Sequence, residues 1–251
     1  MAETPARRPA ETTPTTIDIA SVSDSDPGLQ DFMRHVYNTM CLGCIITGSV
    51  GFLVSHMPTV QHVLFNFPMF FATIFAPVAF VYFGFTPDRV MHMMPEKLSF
   101  IFALYSAVMG ISLSCVFWFI SQDSIAWVFF ITAAAFAATS YYGLALKRNV
   151  GDTMSAIVMG SAGILFTLLV NFLLHSTRLY YIVSAVGALT FTGIAAWETH
   201  VLKGAYANYR LEKGAKERLA IGGALLFYLT FIGIFQYLLN FGFMQARRPP
   251  R

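Results

Sequence analysis

The sequence predicts an all-α membrane protein with seven transmembrane helices. Three observations predict it. Charged residues make up 12% of the 251 residues against 56% hydrophobic, with a mean hydropathy of +0.61. Soluble domains carry about a quarter charged residues, so half of the charge that a water-facing surface needs is missing. Apolar runs long enough to cross a hydrocarbon core of about 30 Å follow one another between short polar breaks. None of them shows the period-two alternation of a strand.

Residues 1–27 form a tail rich in Pro, Thr, Ser, Asp and Glu, with too few large apolar residues to order itself, and it is expected to be disordered. No continuous apolar stretch follows Arg7-Arg8, so it does not read as a signal peptide. A transmembrane domain is expected over 28–244, with spans at 39–56, 63–85, 99–120, 124–146, 153–175, 179–201 and 219–243. The first is short. The second contains Pro68 and Pro77, both expected to kink it. The third and fourth carry the small-residue stretches Gly110-Ile-Ser-Leu-Ser114 and Ala133-Ala134-Ala135 with Ala137-Ala138, which allow close helix packing. So little chain separates these two spans, near Gln122-Asp123, that they must form a hairpin. Residues 245–251 are a short basic C-terminal tail.

Basic residues collect on the cytoplasmic side of membrane proteins. With a cytoplasmic N-terminus, that side holds Arg7, Arg8, Arg34, Arg89, Lys97, Lys147, Arg148, Lys203, Arg210, Lys213, Lys216 and Arg218, twelve of the sixteen. The other side keeps Arg178, Arg247, Arg248 and Arg251. Seven spans place the C-terminus outside. Six spans with a re-entrant last segment are the alternative, although Glu217 to Phe243 is long enough to cross.

Of the thirteen acidic residues, twelve fall in the tail or in loops. The exception is Glu198, at the cytoplasmic end of the sixth span. An ionisable group within a span is costly to desolvate and is a functional candidate by default. The plainer reading has Glu198 at headgroup depth, paired with His200, Lys203 or a neighbouring loop. The last span carries a polar stripe, Thr230, Gly233, Tyr237 and Asn240, with Gln236 beside it, and the fifth adds Asn171. Such a stripe serves equally a hydrated path or hydrogen bonding between helices.

Several sharper ideas fail. Cys41-x-x-Cys44 lies inside the first span with no second ligand pair nearby, which points to packing. Gly160-Ser161-Ala162-Gly163 has the wrong order for a nucleophile elbow and no histidine placed as its base. The six histidines lie at span ends or in loops, without metal-ligand spacing. No phosphate loop, dinucleotide fingerprint or nucleic-acid-binding basic stripe appears.

From Asp26 to Gly242 the chain resembles the bacterial branch of the Bax inhibitor-1 family. The likeness includes Gly28-Leu29, then Arg34 to Gly43 with Tyr37 and Asn38. It continues through Ala76-Pro77, Tyr105 to Ser114, Val128 to Thr132 with Phe136, Ser140-Tyr-Tyr-Gly143 and Lys147-Arg148. Asn171, Gly193, Ala196-Trp-Glu198-Thr199, Lys203 and Tyr206 extend it.

The resemblance implies a seven-helix fold with the last helix central in a bundle of the other six. It also implies a passive calcium leak whose opening depends on pH. In the family a pair of aspartates, one on the sixth helix and one on the seventh, acts as a proton-operated latch, because two carboxylates sharing one site cannot both ionise cheaply. This chain departs at both positions. Glu198 keeps a carboxylate on a longer arm, and Thr230 supplies only a hydroxyl, so the two-carboxylate latch cannot operate in its usual form.

The expectation is therefore a multi-pass protein of a bacterial inner membrane that passes calcium or another cation. Glu198 would be its gating carboxylate and Thr230 the neighbour, with Asn171 and Asn240 offering oxygen along the path. No enzymatic constellation and no cofactor are expected. Some bacterial relatives are associated with a membrane-bound AAA protease. The alternative is thus a non-transporting partner of such a protease, with the tail as its handle.

Overall fold

A computed structural model describes residues 26–64, 66, 68–85, 90, 92–146, 177–208 and 214–246. Among them the regular structure is all helix, with no strand. The elements are α1 (Pro27–Ser55), α2 (Pro58–Leu64), α3 (Met69–Gly84), α4 (Pro95–Leu113), α5 (Val116–Phe119), α6 (Gln122–Ala145), α7 (Thr177–Asn208) and α8 (Ala215–Ala246). Five helices, α1, α4, α6, α7 and α8, are long and apolar enough to cross a membrane. The tail up to residue 25 and the expected fifth span at 153–175 lie outside the described residues.

The helix starts follow from local chemistry. Asp26 caps α1 by accepting from the Gly28 amide at 3.0 Å, and Pro27 occupies the first turn, where its missing N–H costs nothing. Pro95 and Glu96 open α4, and Ser121 caps α6 with Asp123 in the first turn. Gly214, at φ 87°, makes the left-handed turn into α8 that a side chain would resist.

Several spans differ from their sequence boundaries, among them the sixth, expected to end at 201, which continues as α7 to Asn208. The first helix begins at Pro27, not near residue 39, because the polar residues Asp31 and Arg34 point outward while Leu29, Phe32, Met33 and Val36 are buried. The run 63–85 is not one kinked span. Pro68 ends the continuity, as its ring opposes a helix running into it, and α3 starts just after it with Pro77 accommodated inside. The run 99–120 divides into α4 and α5, where the Ser114 hydroxyl takes the Ile111 carbonyl at 2.6 Å and competes with the helical ladder.

Within lipid no hydrophobic force drives helices together, so association depends on how closely backbones approach. Glycines set those approaches. Gly110 of α4 lies against the Thr47 backbone of α1, where a Cβ would come within 2.7 Å of the Thr47 carbonyl oxygen. This bears out the close packing expected of Gly110. Gly143 of α6 rests directly on the Ala196 backbone of α7. Between α7 and α8, Leu202 covers Gly223, Tyr237 covers Gly187 and the Phe191 ring covers Gly233.

Helix α8 packs against α7, α1, α6 and α4. Its apolar stretch is 67% buried, against 17% for that of α6. Aromatic rings fill the spaces around it, with Phe102 of α4 5.5 Å from Tyr228 and Phe136 of α6 5.5 Å from Phe227. The outward faces carry large exposed apolar side chains such as Tyr82, Phe100, Trp127 and Phe130, a surface suited to lipid.

Gly143→Ala is expected to force α6 and α7 apart at a cost of about 1–3 kcal/mol, the usual range for overpacking. Gly193, with nothing within 4 Å of its added Cβ, is the control. Gly193→Ala should leave melting of the detergent-solubilised protein unchanged or raise it, whereas Gly143→Ala should lower it.

Candidate functional site

The sixth-span carboxylate is well inside the protein. Glu198 sits on α7, 8% exposed, among the buried residues Thr199, His200 and Lys203. One turn of α8 meets it. The Thr230 hydroxyl, 3% exposed, donates to Glu198 Oε1 at 2.9 Å. The second carboxylate oxygen, Oε2, has no hydrogen-bond partner among the described residues. A charge held this way is expensive unless something else approaches it.

The approach exists as a cavity of about 390 Å³ between α7 and α8. Glu198 and Arg218 are its charged wall residues, and apolar side chains including Trp197, Leu202, Leu219 and Phe227 make the rest. Arg218 Nε has no hydrogen-bond partner among the described residues. Glu198 and Arg218 thus both line one largely apolar hollow, while Glu198 Oε2 and Arg218 Nε are themselves buried without hydrogen-bond partners among the described residues. A hard cation bound there would find oxygen from Glu198 and Thr230. Among the described residues no group of three His, Cys, Asp or Glu side chains is placed to hold a resident metal.

The plainer sequence reading paired Glu198 with His200, Lys203 or a neighbouring loop; the hydrogen bond seen is to the last helix. Glu198 takes Thr230 instead, because α7 continues to Asn208 and carries the whole segment inside the bundle. His200, expected at a span end, is 2% exposed, and neither ring nitrogen has a hydrogen-bond partner among the described residues. Lys203, counted from the sequence among the loop cations, is 3% exposed and donates to the Leu144 carbonyl at 3.2 Å. That carbonyl belongs to the last turn of α6, where helices leave carbonyls unsatisfied and favour a cation.

The other expected site residues are not gathered here. Asn240 lies on α8 ten residues beyond Thr230, about 15 Å along the axis at 1.5 Å per residue. Asn171 falls outside the described residues. Within the polar stripe, Gly233 and Tyr237 serve packing, the latter with its ring 5.5 Å from that of Phe191.

The structure also shows hydroxyl relays that sequence reasoning missed. Tyr37 of α1 hydrogen-bonds Ser140 of α6, and Ser140 meets Thr199 of α7 at 2.7 Å. Thr47 of α1 meets the Tyr228 hydroxyl of α8 at 2.6 Å and donates to the Ser106 carbonyl of α4 at 2.9 Å. Hydroxyls barely change hydropathy, so only the helical register of Tyr37, Thr47 and Tyr228 could have signalled them.

These features define a multi-pass α-helical membrane protein with a buried acidic site between its last two helices. The family model described as inhibitor of apoptosis-promoting Bax1 matches residues 29–248. The chain belongs to the Bax inhibitor-1 family, as its sequence likeness implies. It is 34% identical to the inner membrane protein YbhL of Escherichia coli K12 over 228 residues, 88% of this chain and 94% of that one. A Rickettsia prowazekii protein is 31% identical over 216 residues, covering 86% and 90% of the two chains. A Caulobacter vibrioides protein is 30% identical over 226 residues, covering 86% and 89%.

Removing the Thr230 hydroxyl should leave both Glu198 oxygens without a protein donor. Thr230→Val is expected to cost about 1–3 kcal/mol, the usual range for an unsatisfied buried polar group. Thr230→Ser, which keeps the donor, should restore most of it. Thermal melts in detergent of the two variants beside wild type check this.

Proposed function

We propose that this protein is a passive cation leak of a bacterial inner membrane, with calcium as the permeant ion and Glu198 as the carboxylate it meets. The observation that carries this is the Glu198 side chain itself, buried between α7 and α8 in the wall of a cavity, with one oxygen held by Thr230 and the other without a hydrogen-bond partner among the described residues. A carboxylate needed only for structure would be expected to have both oxygens engaged. The family membership and the name of the Escherichia coli relative support the inner-membrane setting.

In this reading the chain crosses seven times, with the apolar run 153–175 as the fifth crossing and the last helix central. The N-terminus is cytoplasmic and the C-terminus periplasmic, following the basic residues. The protein carries out no bond chemistry and needs no cofactor. Thr230 replaces the second carboxylate of the family latch. The hydroxyl orients Glu198 and cannot share its proton, so proton control is weaker than in a two-carboxylate pair. Asn240 offers an oxygen further along α8.

Calcium entry into dye-loaded proteoliposomes containing the full chain tests the proposal. Wild type is expected to exceed empty liposomes at both acidic and neutral pH. Glu198→Gln should change the rate roughly tenfold, equivalent to about 1.4 kcal/mol on the crossing barrier. Thr230→Asp, which places two carboxyl groups within hydrogen-bonding distance, should make the rate more dependent on pH. A folded protein with no flux in any variant would overturn the leak. It would favour a non-transporting partner of a membrane-bound AAA protease, which pull-downs with and without residues 1–27 would then address.

A further inference from the structure

Helices α1 and α6 both pack on α8, yet they do not close on each other. Helix α1 packs chiefly on α4 and α8, and α6 chiefly on α7 and α8. Between α1 and α6 runs a groove made of three connected hollows. The first, about 490 Å³, lies between the N-terminal turns of α1 and the last turns of α6, and its walls include Gln30, Arg34, Asn38 and Tyr141. The second, about 600 Å³, shares Tyr37, Tyr141 and Leu144 with the first and is almost wholly apolar. The third, about 300 Å³, shares Cys44, Phe129 and Phe231 with the second and continues toward Gln122. The Tyr37–Ser140 hydrogen bond bridges the two helices where the first two hollows meet.

We propose that this groove holds one glycerophospholipid from the leaflet beside the N-terminal end of α1. Its phosphate lies against Arg34, and one acyl chain runs along the groove toward Phe129 and Phe231. The inference does not depend on ion permeation.

Three observations specify this occupant. The polarity changes along the groove as it does along a phospholipid. One end carries a cation and amide side chains, and the continuation is lined by methylenes, methyls and rings. The depth also fits. From Tyr37 to Gly48 is eleven residues of helix, about 16 Å, which is one leaflet of a hydrocarbon core about 30 Å thick. The level fits too. Tyr141, 75% exposed on α6, marks headgroup depth as interfacial aromatics do, and it stands beside the polar end.

The charge at that end is available. Arg34 Nη1 stands 3.7 Å from Asp31 Oδ1, beyond hydrogen-bond distance, and both side chains are more than two-thirds exposed. A guanidinium fork in this state can take a phosphate with two parallel hydrogen bonds. Water is a poor filling for the apolar part, where it would find few partners, whereas a chain of methylenes matches its walls.

Native mass spectrometry of the full chain released from detergent, titrated with phosphatidylglycerol and with diacylglycerol of the same chains, tests the assignment. Wild type is expected to saturate with one phosphatidylglycerol and to bind diacylglycerol at least several-fold more weakly. Arg34→Gln, at an exposed position where the fold should tolerate it, should remove that preference. Ala137→Phe fills the groove from its rim and should reduce binding of both lipids, with helicity and melting preserved. Stepwise addition of many lipids without saturation at one, insensitive to Ala137→Phe, would overturn the proposal in favour of annular lipid only. A phosphatidylglycerol preference that survives Arg34→Gln would overturn the headgroup assignment.

Discussion

Helices in a bilayer gain little by exchanging lipid for one another, so what holds them is the distance to which their backbones can close. In this chain that distance is fixed at glycine. Gly110 brings α4 onto α1, Gly143 brings α6 onto α7, and Gly187, Gly223 and Gly233 receive side chains across the α7–α8 interface. The acidic site inherits its precision from these contacts. Phe191 over Gly233 and Leu202 over Gly223 bracket the pair Glu198 and Thr230, and the Gly143–Ala196 contact lies two residues before Glu198. The 2.9 Å hydrogen bond between α7 and α8 thus rests on a register set by packing on either side of it.

Many polar groups inside the bundle find a partner across a helix interface. The hydroxyls of Tyr37, Ser140 and Thr199 connect α1, α6 and α7, and those of Thr47 and Tyr228 connect α1 and α8. Lys203 reaches the frayed carbonyl end of α6. Glu198 Oε2, both His200 ring nitrogens and Arg218 Nε depart from this, buried without hydrogen-bond partners among the described residues.

Much of this was legible in the sequence. Low charge and long apolar runs gave the membrane class, and Gly110 pointed to tight packing. Glu198 stood out as the acidic residue inside a span, and helical periodicity marked Thr230 on the last helix. What escaped has physical reasons. The first helix was cut short because Asp31 and Arg34 lower local hydropathy, although they occupy the outward face of a helix whose other face is buried. Pro68 read as a kink because sequence cannot weigh a proline's clash against the packing that would hold a bent helix together. The depth of His200 and Lys203 was hidden because a basic side chain after an apolar run looks the same whether the helix ends or continues under cover. The spatial separation of Asn240 from Glu198 depends on axial distance across two helices, which a stripe on one helix does not encode.

Helices α7 and α8, at 32 residues each, are about 48 Å long, and α1, at 29 residues, is about 44 Å, against a hydrocarbon core of about 30 Å. The surplus near the start of α1 is knotted together. Gly28 fits beneath the Tyr206 hydroxyl, the Phe32 and Tyr206 rings lie 5.1 Å apart, and Lys216 covers Tyr206 from the start of α8 at 5.1 Å. This knot makes the entry of the chain and its acidic site mechanically continuous. Tension applied to the segment before α1 would be borne first by Tyr206, two helical turns from Glu198 on the same rigid rod. Because Tyr206 touches α1 and α8 as well as its own helix, such a load would be shared among three helices.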